Sequence, residues 1–283
     1  MHSSPGPAPR DRRRAVRVVL AALALALPST SCTDAPVDWT SSGFAASTGT
    51  MNRMAITAAG TLVTDSLALL ADRVAPPPGE RCAGSLRLAR SGRTLHAVWW
   101  APRADSSARL LAAHSVDEGR SWSAVAPVDT LDRGVNGCRR AAPSIAADST
   151  TGYVHVAYGL TAPEGPGLFF AHSMDGGLTF HAPVPILYGE RMGRTSVAAD
   201  GNLVAVAFED PNSMKPRVGL ALSGTMGHIF EHRVMPVSDD NGAATHPVTA
   251  VRGRRIAIGW EQRAAALSPT TAPALAVRTG VVH

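Results

Sequence analysis

Glu209 and Glu261 stand at matching places in the chain, each directly after an aromatic residue that closes a short apolar run: Phe208 before the first, Trp260 before the second. Two carboxylates brought together can hydrolyse a glycosidic bond, retaining configuration at about 5 Å separation and inverting it at roughly 6.5 to 9.5 Å. Asp210 lies beside the first. The competing reading makes both glutamates solvated rim residues, paired with arginines such as Arg263. Arg140, Arg194 and His246 lie at the heads of other apolar runs, where two or three of them converging would suit an anionic group. Pairing with acids such as Glu190 or Asp240 explains them equally well. His96 and His155 share one strand position without a partner at ligand spacing, which favours packing over a metal site. Asp239-Asp240-Asn241-Gly242 lacks the further ligands of a calcium loop and reads as a polar turn. No metal and no cofactor is therefore expected.

The elements that would position these groups repeat. Leu95-His96-Ala97-Val98-Trp99, Val154-His155-Val156-Ala157-Tyr158, Val204-Ala205-Val206-Ala207-Phe208 and Ile256-Ala257-Ile258-Gly259-Trp260 superimpose, at spacings of 59, 50 and 52 residues. Each follows another short apolar strand across a turn: Ser91-Gly92, Ser149-Thr150-Thr151-Gly152, Asp200-Gly201-Asn202 and Arg252-Gly253. Helical periodicity is sustained nowhere beyond the first 31 residues.

A second feature keeps step with the first. Ser115-Val116-Asp117-Glu118-Gly119-Arg120-Ser121-Trp122 and Ser173-Met174-Asp175-Gly176-Gly177-Leu178-Thr179-Phe180 share the pattern Ser-x-Asp-x-Gly-x-Ser/Thr-aromatic, their serines 58 residues apart. Ser223-Gly224-Thr225-Met226-Gly227-His228-Ile229-Phe230 follows 50 residues later without the aspartate. A hairpin tip leaves backbone N–H groups unpaired, and Asp117 or Asp175 can accept from several of them. Gly119 and Gly177 supply a positive φ, and the aromatics pack on the sheet. Turn chemistry accounts for every position, so a role as catalytic acids is the less economical reading.

These octapeptides resemble the Asp-box of BNR/sialidase-like proteins and fall where that family places them, after the third strand of a repeat. Period, strand length and turn spacing give an all-β propeller of four-stranded antiparallel blades, each needing its neighbours to bury its faces. Four to five blades are evident, over residues 82–135, 141–188 and 193–238, with another beginning near Thr245 whose outer strand is missing. Met54 to Ala58 and Leu62 to Val74 are apolar enough to supply it, or to add a fifth, degenerate blade.

The resemblance implies six blades, an arginine triad for a sugar carboxylate, an aspartate acid/base and a tyrosine nucleophile activated by a glutamate. The sequence departs from this. No Phe/Tyr-Arg-Ile-Pro motif occurs between Cys32 and Arg90; Ala142 precedes Pro143-Ser144 where a glutamate often stands; Gly159 follows Tyr158 where a second arginine would be; Arg194 falls opposite the tyrosine. Glu209 does match the family's glutamate. Tyr153, Tyr158 and Tyr188 are the only tyrosines, and none is placed as a nucleophile.

Composition bounds what remains. The chain has 283 residues, 45% hydrophobic and 17% charged, enough for one sizeable core. Its pI near 9.7 comes mostly from Arg10, Arg12, Arg13, Arg14 and Arg17, so that +4 of the net +5 lies within residues 1–31 and the remainder is nearly neutral. That excludes a nucleic-acid binder. Those arginines, the apolar run Val18 to Leu27 and Ser29-Thr30-Ser31-Cys32 have the layout of a signal peptide (1–31) ending in a lipobox-like site, which makes Cys32 the expected lipidation point. Residues 32–50, rich in Ser, Thr, Ala and Gly, read as a flexible tether, leaving 51–283 as the propeller. Cys82 and Cys138 then form an even pair in an oxidising compartment, suited to a disulfide or to two buried thiols. The expected protein is a periplasmic or surface lipoprotein, anchored by lipid only, whose propeller binds a glycan or an envelope protein. The alternative is an exo-sialidase or other glycoside hydrolase with divergent catalytic residues.

Overall fold

The computed structural model describes residues 35–45, 54–56, 62–64, 75–240, 242–264 and 273–283. The signal region, Cys32 and Asn241 lie outside them. In chain order the strands are β1 (Val37–Ala45), β2 (Met54–Ile56), β3 (Leu62–Thr64), β4 (Arg87–Ser91), β5 (Thr94–Pro102), β6 (Ala108–Ser115), β7 (Ala126–Pro127), β8 (Ser144–Ala147), β9 (Val154–Ala162) and β10 (Gly165–Ser173). They continue with β11 (Val184–Tyr188), β12 (Thr195–Asp200), β13 (Leu203–Glu209), β14 (Val218–Ser223), β15 (His232–Pro236), β16 (Gly242–Arg252), β17 (Arg255–Ala264) and β18 (Ala274–Val282). Apart from a short 3-10 turn at Gly137–Arg139, no helix occurs among the described residues.

Four antiparallel four-stranded sheets result: β4-β5-β6-β7, β8-β9-β10-β11, β12-β13-β14-β15 and β16-β17-β18-β1. These are the blades of an all-β propeller, packed through their first strands in chain order. The second strand of each blade is apolar on both faces because it lies between two neighbours. In β9, Val156 and Tyr158 meet Val98, Trp100 and Leu110 of the first blade, while Ala157 turns to Val204, Val206 and Phe208 of the third. In β13, Ala205 and Ala207 face Ile256, Ile258 and Trp260 of the fourth. One two-residue alternation thus serves two cores.

The stretch Val37–Ala45 corrects the reading of residues 32–50 as a tether. It is the outer strand of the fourth blade, running from Val37 opposite Val282 to Ala45 opposite Leu275. Its Ser/Thr-rich composition suits an outer strand with one wet face, while Val37 is buried and Trp39 lies under the Arg278 guanidinium at 4.6 Å. Met54–Ile56 and Leu62–Thr64 do not supply that outer strand; they pair with each other as a separate two-stranded hairpin. Ile56 packs on Ala250 and Ala257. The propeller body therefore begins at Val37, not at residue 51.

Two ends can be told apart. At one lie the turns β4–β5, β8–β9, β12–β13 and β16–β17 together with the three octapeptide hairpins. Asp148 Oδ2 accepts from Gly201 N–H (3.1 Å) and Asp200 Oδ2 from Gly253 N–H (2.6 Å), lacing successive turns together. In the hairpins, Ser115 and Ser173 hydroxyls accept from Gly119 and Gly177 N–H, each at 2.7 Å. Asp117 accepts from Ser121 N–H at 2.9 Å, and Asp175 from Leu178 and Thr179 N–H at 3.0 and 2.9 Å. In the third copy the Thr225 hydroxyl replaces the carboxylate, accepting from Ile229 N–H at 3.0 Å. Gly119, Gly177 and Gly227 hold φ of 90°, 91° and 86°. Hydrogen bonds from Ser121 and Ser115 pull the Asp117 carboxyl well below its usual range. Partial burial opposes the same effect at Asp175, but Thr179 and Ser173 prevail and hold it at about 2.

Candidate functional site

The opposite end, the mouth, gathers the heads of β4, β8, β12 and β16 and the tails of β13 and β17. Glu209 at the end of β13 organises it. Its Oε2 accepts from Arg194 N–H at 3.1 Å and its Oε1 from His246 N–H at 2.8 Å, so one carboxylate ties the head of β12 to the head of β16. A Cβ on residue 193 would collide with the Glu209 side chain, so the glycine is what admits the carboxylate. His246 sits at an irregularity in the β16–β17 register with φ of 56°, a left-handed conformation that a non-glycine residue holds at a cost of about 1 kcal/mol or more. Its Nδ1 lies 3.1 Å from Thr245 Oγ1 and 3.4 Å from Glu261 Oε2. Glu209 and Glu261 thus converge on His246, one through its backbone and one through its ring.

Arg194 presents an exposed side chain for which no hydrogen bond or ion pair is found among the described residues. Across from it stands Arg87, in β4 of the first blade. The Arg87 Nη1 donates to the carbonyls of Gly84 (2.9 Å) and Leu86 (2.8 Å) and meets no carboxylate. Burial first, and the positive charge of Arg194 second, push the Arg87 guanidinium below its ordinary value. A second cation so placed raises the energy of the Arg87 charge, and an anion bound between the two guanidinium groups would lower it. A carboxylate, sulfate or phosphate can be taken bidentately by such planar donors.

Arg140 does not join them. Its Nη1 pairs with Asp132 and its Nη2 donates to the Gly159 carbonyl, its guanidinium lies 3.6 Å from the Trp100 ring centre, and only 8% of its side chain is exposed. The expected ligand-facing arginine is a buried strut between the first two blades. Beside it the Tyr158 hydroxyl donates to Asp129 Oδ2 at 3.0 Å. Burial, then Asp129, push the Tyr158 phenol well above its usual value, which removes it as a nucleophile. Burial also raises the Asp129 carboxyl, with Asp132 adding to the effect.

The other candidates are dispersed. His155 is fully buried, its ring 5.9 Å from Tyr153 and 5.7 Å from Phe170, with neither nitrogen bonded. Burial, with His172 next, pushes it down to about 4; burial, with His114 next, does the same to His96. No group of three or more His, Cys, Asp or Glu side chains with metal-holding geometry occurs among the described residues. Asp240 pairs with Arg217 at 2.7 Å. Cys82 and Cys138 are joined in a disulfide that pins the chain leading into β4 to the loop leading into β8, Cα atoms 5.1 Å apart. Arg87 is the mouth residue that sequence reasoning passed over. The signal was a charged side chain inside the apolar run Leu86-Arg87-Leu88, on a first strand that faces the channel.

The fold and this site define a propeller whose mouth holds two arginines, Arg87 and Arg194, beside Glu209 and Glu261. No family model and no curated protein matches the chain. Among solved structures, it is similar to the Hadza microbial sialidase Hz136, at 17% identity over 62% of this chain and 41% of that one, with a TM-score of 0.45. A phage phi92 endosialidase is similar at 12% identity over 69% and 35%, TM-score 0.49. A protein of unknown function from Dyadobacter fermentans is similar at 17% identity over 67% and 50%, TM-score 0.47. The chain spans no more than half the length of these three structures.

Proposed function

We propose that this is an exported, lipid-anchored member of the Asp-box, sialidase-like propellers that binds the acidic group of a glycan at its mouth and does not hydrolyse it. One observation carries the reading: the Arg194 and Arg87 guanidinium groups lie at the mouth close enough for their charges to act on each other, and neither forms an ion pair among the described residues. The carboxylates that a hydrolase would need free are engaged. Glu209 is committed to two backbone amides and Glu261 faces His246. The three tyrosines lie away from the arginine pair: Tyr158 buried against Asp129, Tyr153 among histidines, Tyr188 against Phe169. The leader and Cys32 support export and anchoring.

The test is calorimetric titration with acidic oligosaccharides, sialylated and uronate-containing, against neutral ones of equal length. Binding of the acidic set, weakened by salt and lost in Arg194→Ala, is the expected result. Equal binding of neutral glycans overturns the ionic reading. Turnover of an activated sialoside that disappears in Glu209→Gln or Arg194→Ala, with folding intact, overturns the non-catalytic one.

A further inference from the structure

If Cys32 carries the lipid, the distance from it to the body matters. Val37 is already in β1, so five residue steps separate the two, at most about 17 Å of fully extended chain. Blade strands here reach eleven residues, roughly 36 Å. A body on so short a leash cannot stand off from the bilayer or turn freely above it. The end that meets the membrane is the one that carries Val37.

That end is the hairpin end. Val37 pairs with Val282, Val282 N–H donates to the Arg254 carbonyl at 2.7 Å, and His283 N–H donates to the Pro36 carbonyl at 3.2 Å. The chain therefore arrives beside the β16–β17 turn. On the other three blades the same end exposes apolar side chains at the hairpin tips, Val116, Met174, Leu178 and Ile229, each 48% or more exposed. Nothing in the hairpin's own chemistry requires them, since the backbone is already satisfied by Ser, Asp and Thr oxygens. On the fourth blade the turn supplies Arg252, Arg254 and Arg255, all exposed. Two acids lie at this turn, Asp200, which accepts from Gly253 N–H, and Asp38, which pairs with His283 at 2.7 Å, against the three arginines. Glu118, on the first hairpin, is paired with Arg90 and Arg93 at 3.7 Å each.

We infer that the hairpin end lies on a phospholipid surface, its apolar tips at headgroup depth and the Arg252–Arg255 turn on anionic headgroups, with the mouth facing away from the membrane. This rests on the lipid-anchor reading above. Apolar tips and basic side chains on one face are what an interfacial contact requires.

The experiment uses the full lipidated chain in vesicles of phosphatidylethanolamine and phosphatidylglycerol containing a nitroxide-labelled lipid. Cys82 and Cys138 are joined, so an introduced cysteine is the reactive thiol. Met174→Cys and, separately, Leu178→Cys report on the hairpin end; Met214→Cys, 91% exposed between β13 and β14, reports on the mouth. An environment-sensitive dye at 174 or 178 is expected to shift to the blue and be quenched several-fold, while the dye at 214 stays unquenched. Equal quenching at 214, or none at 174 and 178, overturns the seating while leaving the anchor standing. Wild-type chain in the soluble fraction, or Cys32→Ala still in the membrane fraction, overturns the anchor and the seating together.

Discussion

At the hairpin end, Asp117 and Asp175 are surrounded by donors from their own turns, and the third copy keeps the geometry with the neutral hydroxyl of Thr225. At the mouth, Glu209 reaches across two blades to find its donors, one of them the Arg194 N–H, while the Arg194 guanidinium has no hydrogen-bond acceptor among the described residues. One end is saturated locally and tolerates drift in its residues. The other is assembled from separate blades and keeps an unmet charge. A group satisfied by its own turn serves the fold; a guanidinium left without an ion pair beside another cation is where the proposed ligand would be taken.

The largest effect should come from the boundary between these categories. Arg140 belongs to the mouth by sequence position but is buried against Asp132. Arg140→Ala strands that carboxylate and is expected to cost about 3–5 kcal/mol in urea denaturation. A cost under about 1 kcal/mol would return Arg140 to the ligand-facing set.

Acid sharpens the comparison next. His155 has a folded value near 4 against about 6.5 when unfolded, so the unfolded chain takes up the proton first. Stability is fully present above pH 6.5 and falls as pH drops toward 4, by at most about 3 kcal/mol for this group. His172, Asp148 and His228 are the charged or titratable neighbours that act on it. Denaturation curves between pH 7 and 4 should show the loss, and His155→Phe should flatten it. An unchanged slope would place the acid sensitivity elsewhere. Asp175, depressed to about 2, contributes stability above the unfolded carboxylate value that is lost only as pH falls through 4 toward 2, a separate window.

Asp175→Ala removes the acceptor for two tip amides and should lower stability by roughly 1–3 kcal/mol with ligand affinity unchanged in the folded fraction. Lost affinity at an unchanged melting temperature would break the division between the two ends. Smallest of all, Arg194→Ala should change stability by no more than about 0.5 kcal/mol, since its guanidinium is exposed and unpaired, while removing binding of an acidic ligand. A large loss of stability would show that Arg194 is structural after all.

The blades and the hairpin tips were legible in the linear chain because both depend on neighbours in sequence. A second strand buried on two sides is apolar along most of its length, and a tip that bonds to itself must keep its serine, its acceptor and its glycine at fixed offsets. The mouth obeyed no such local rule. Arg140 and Arg194 look alike as sequence, each near the head of a first strand; only the folded chain sets Asp132, Trp100 and the Gly159 carbonyl around one and leaves the other bare. Arg87 could not be matched with Arg194 before the first and third blades were brought to one channel. Val37–Ala45 concealed its strand because a terminal outer strand is specified by its partner, and Leu275 to Val282 lies at the other end of the chain. Local hydrogen bonding and alternation determined the parts from sequence alone; which charge stays unmet, and which end the chain enters, depended on contacts between residues far apart in the chain, and these only the tertiary structure decided.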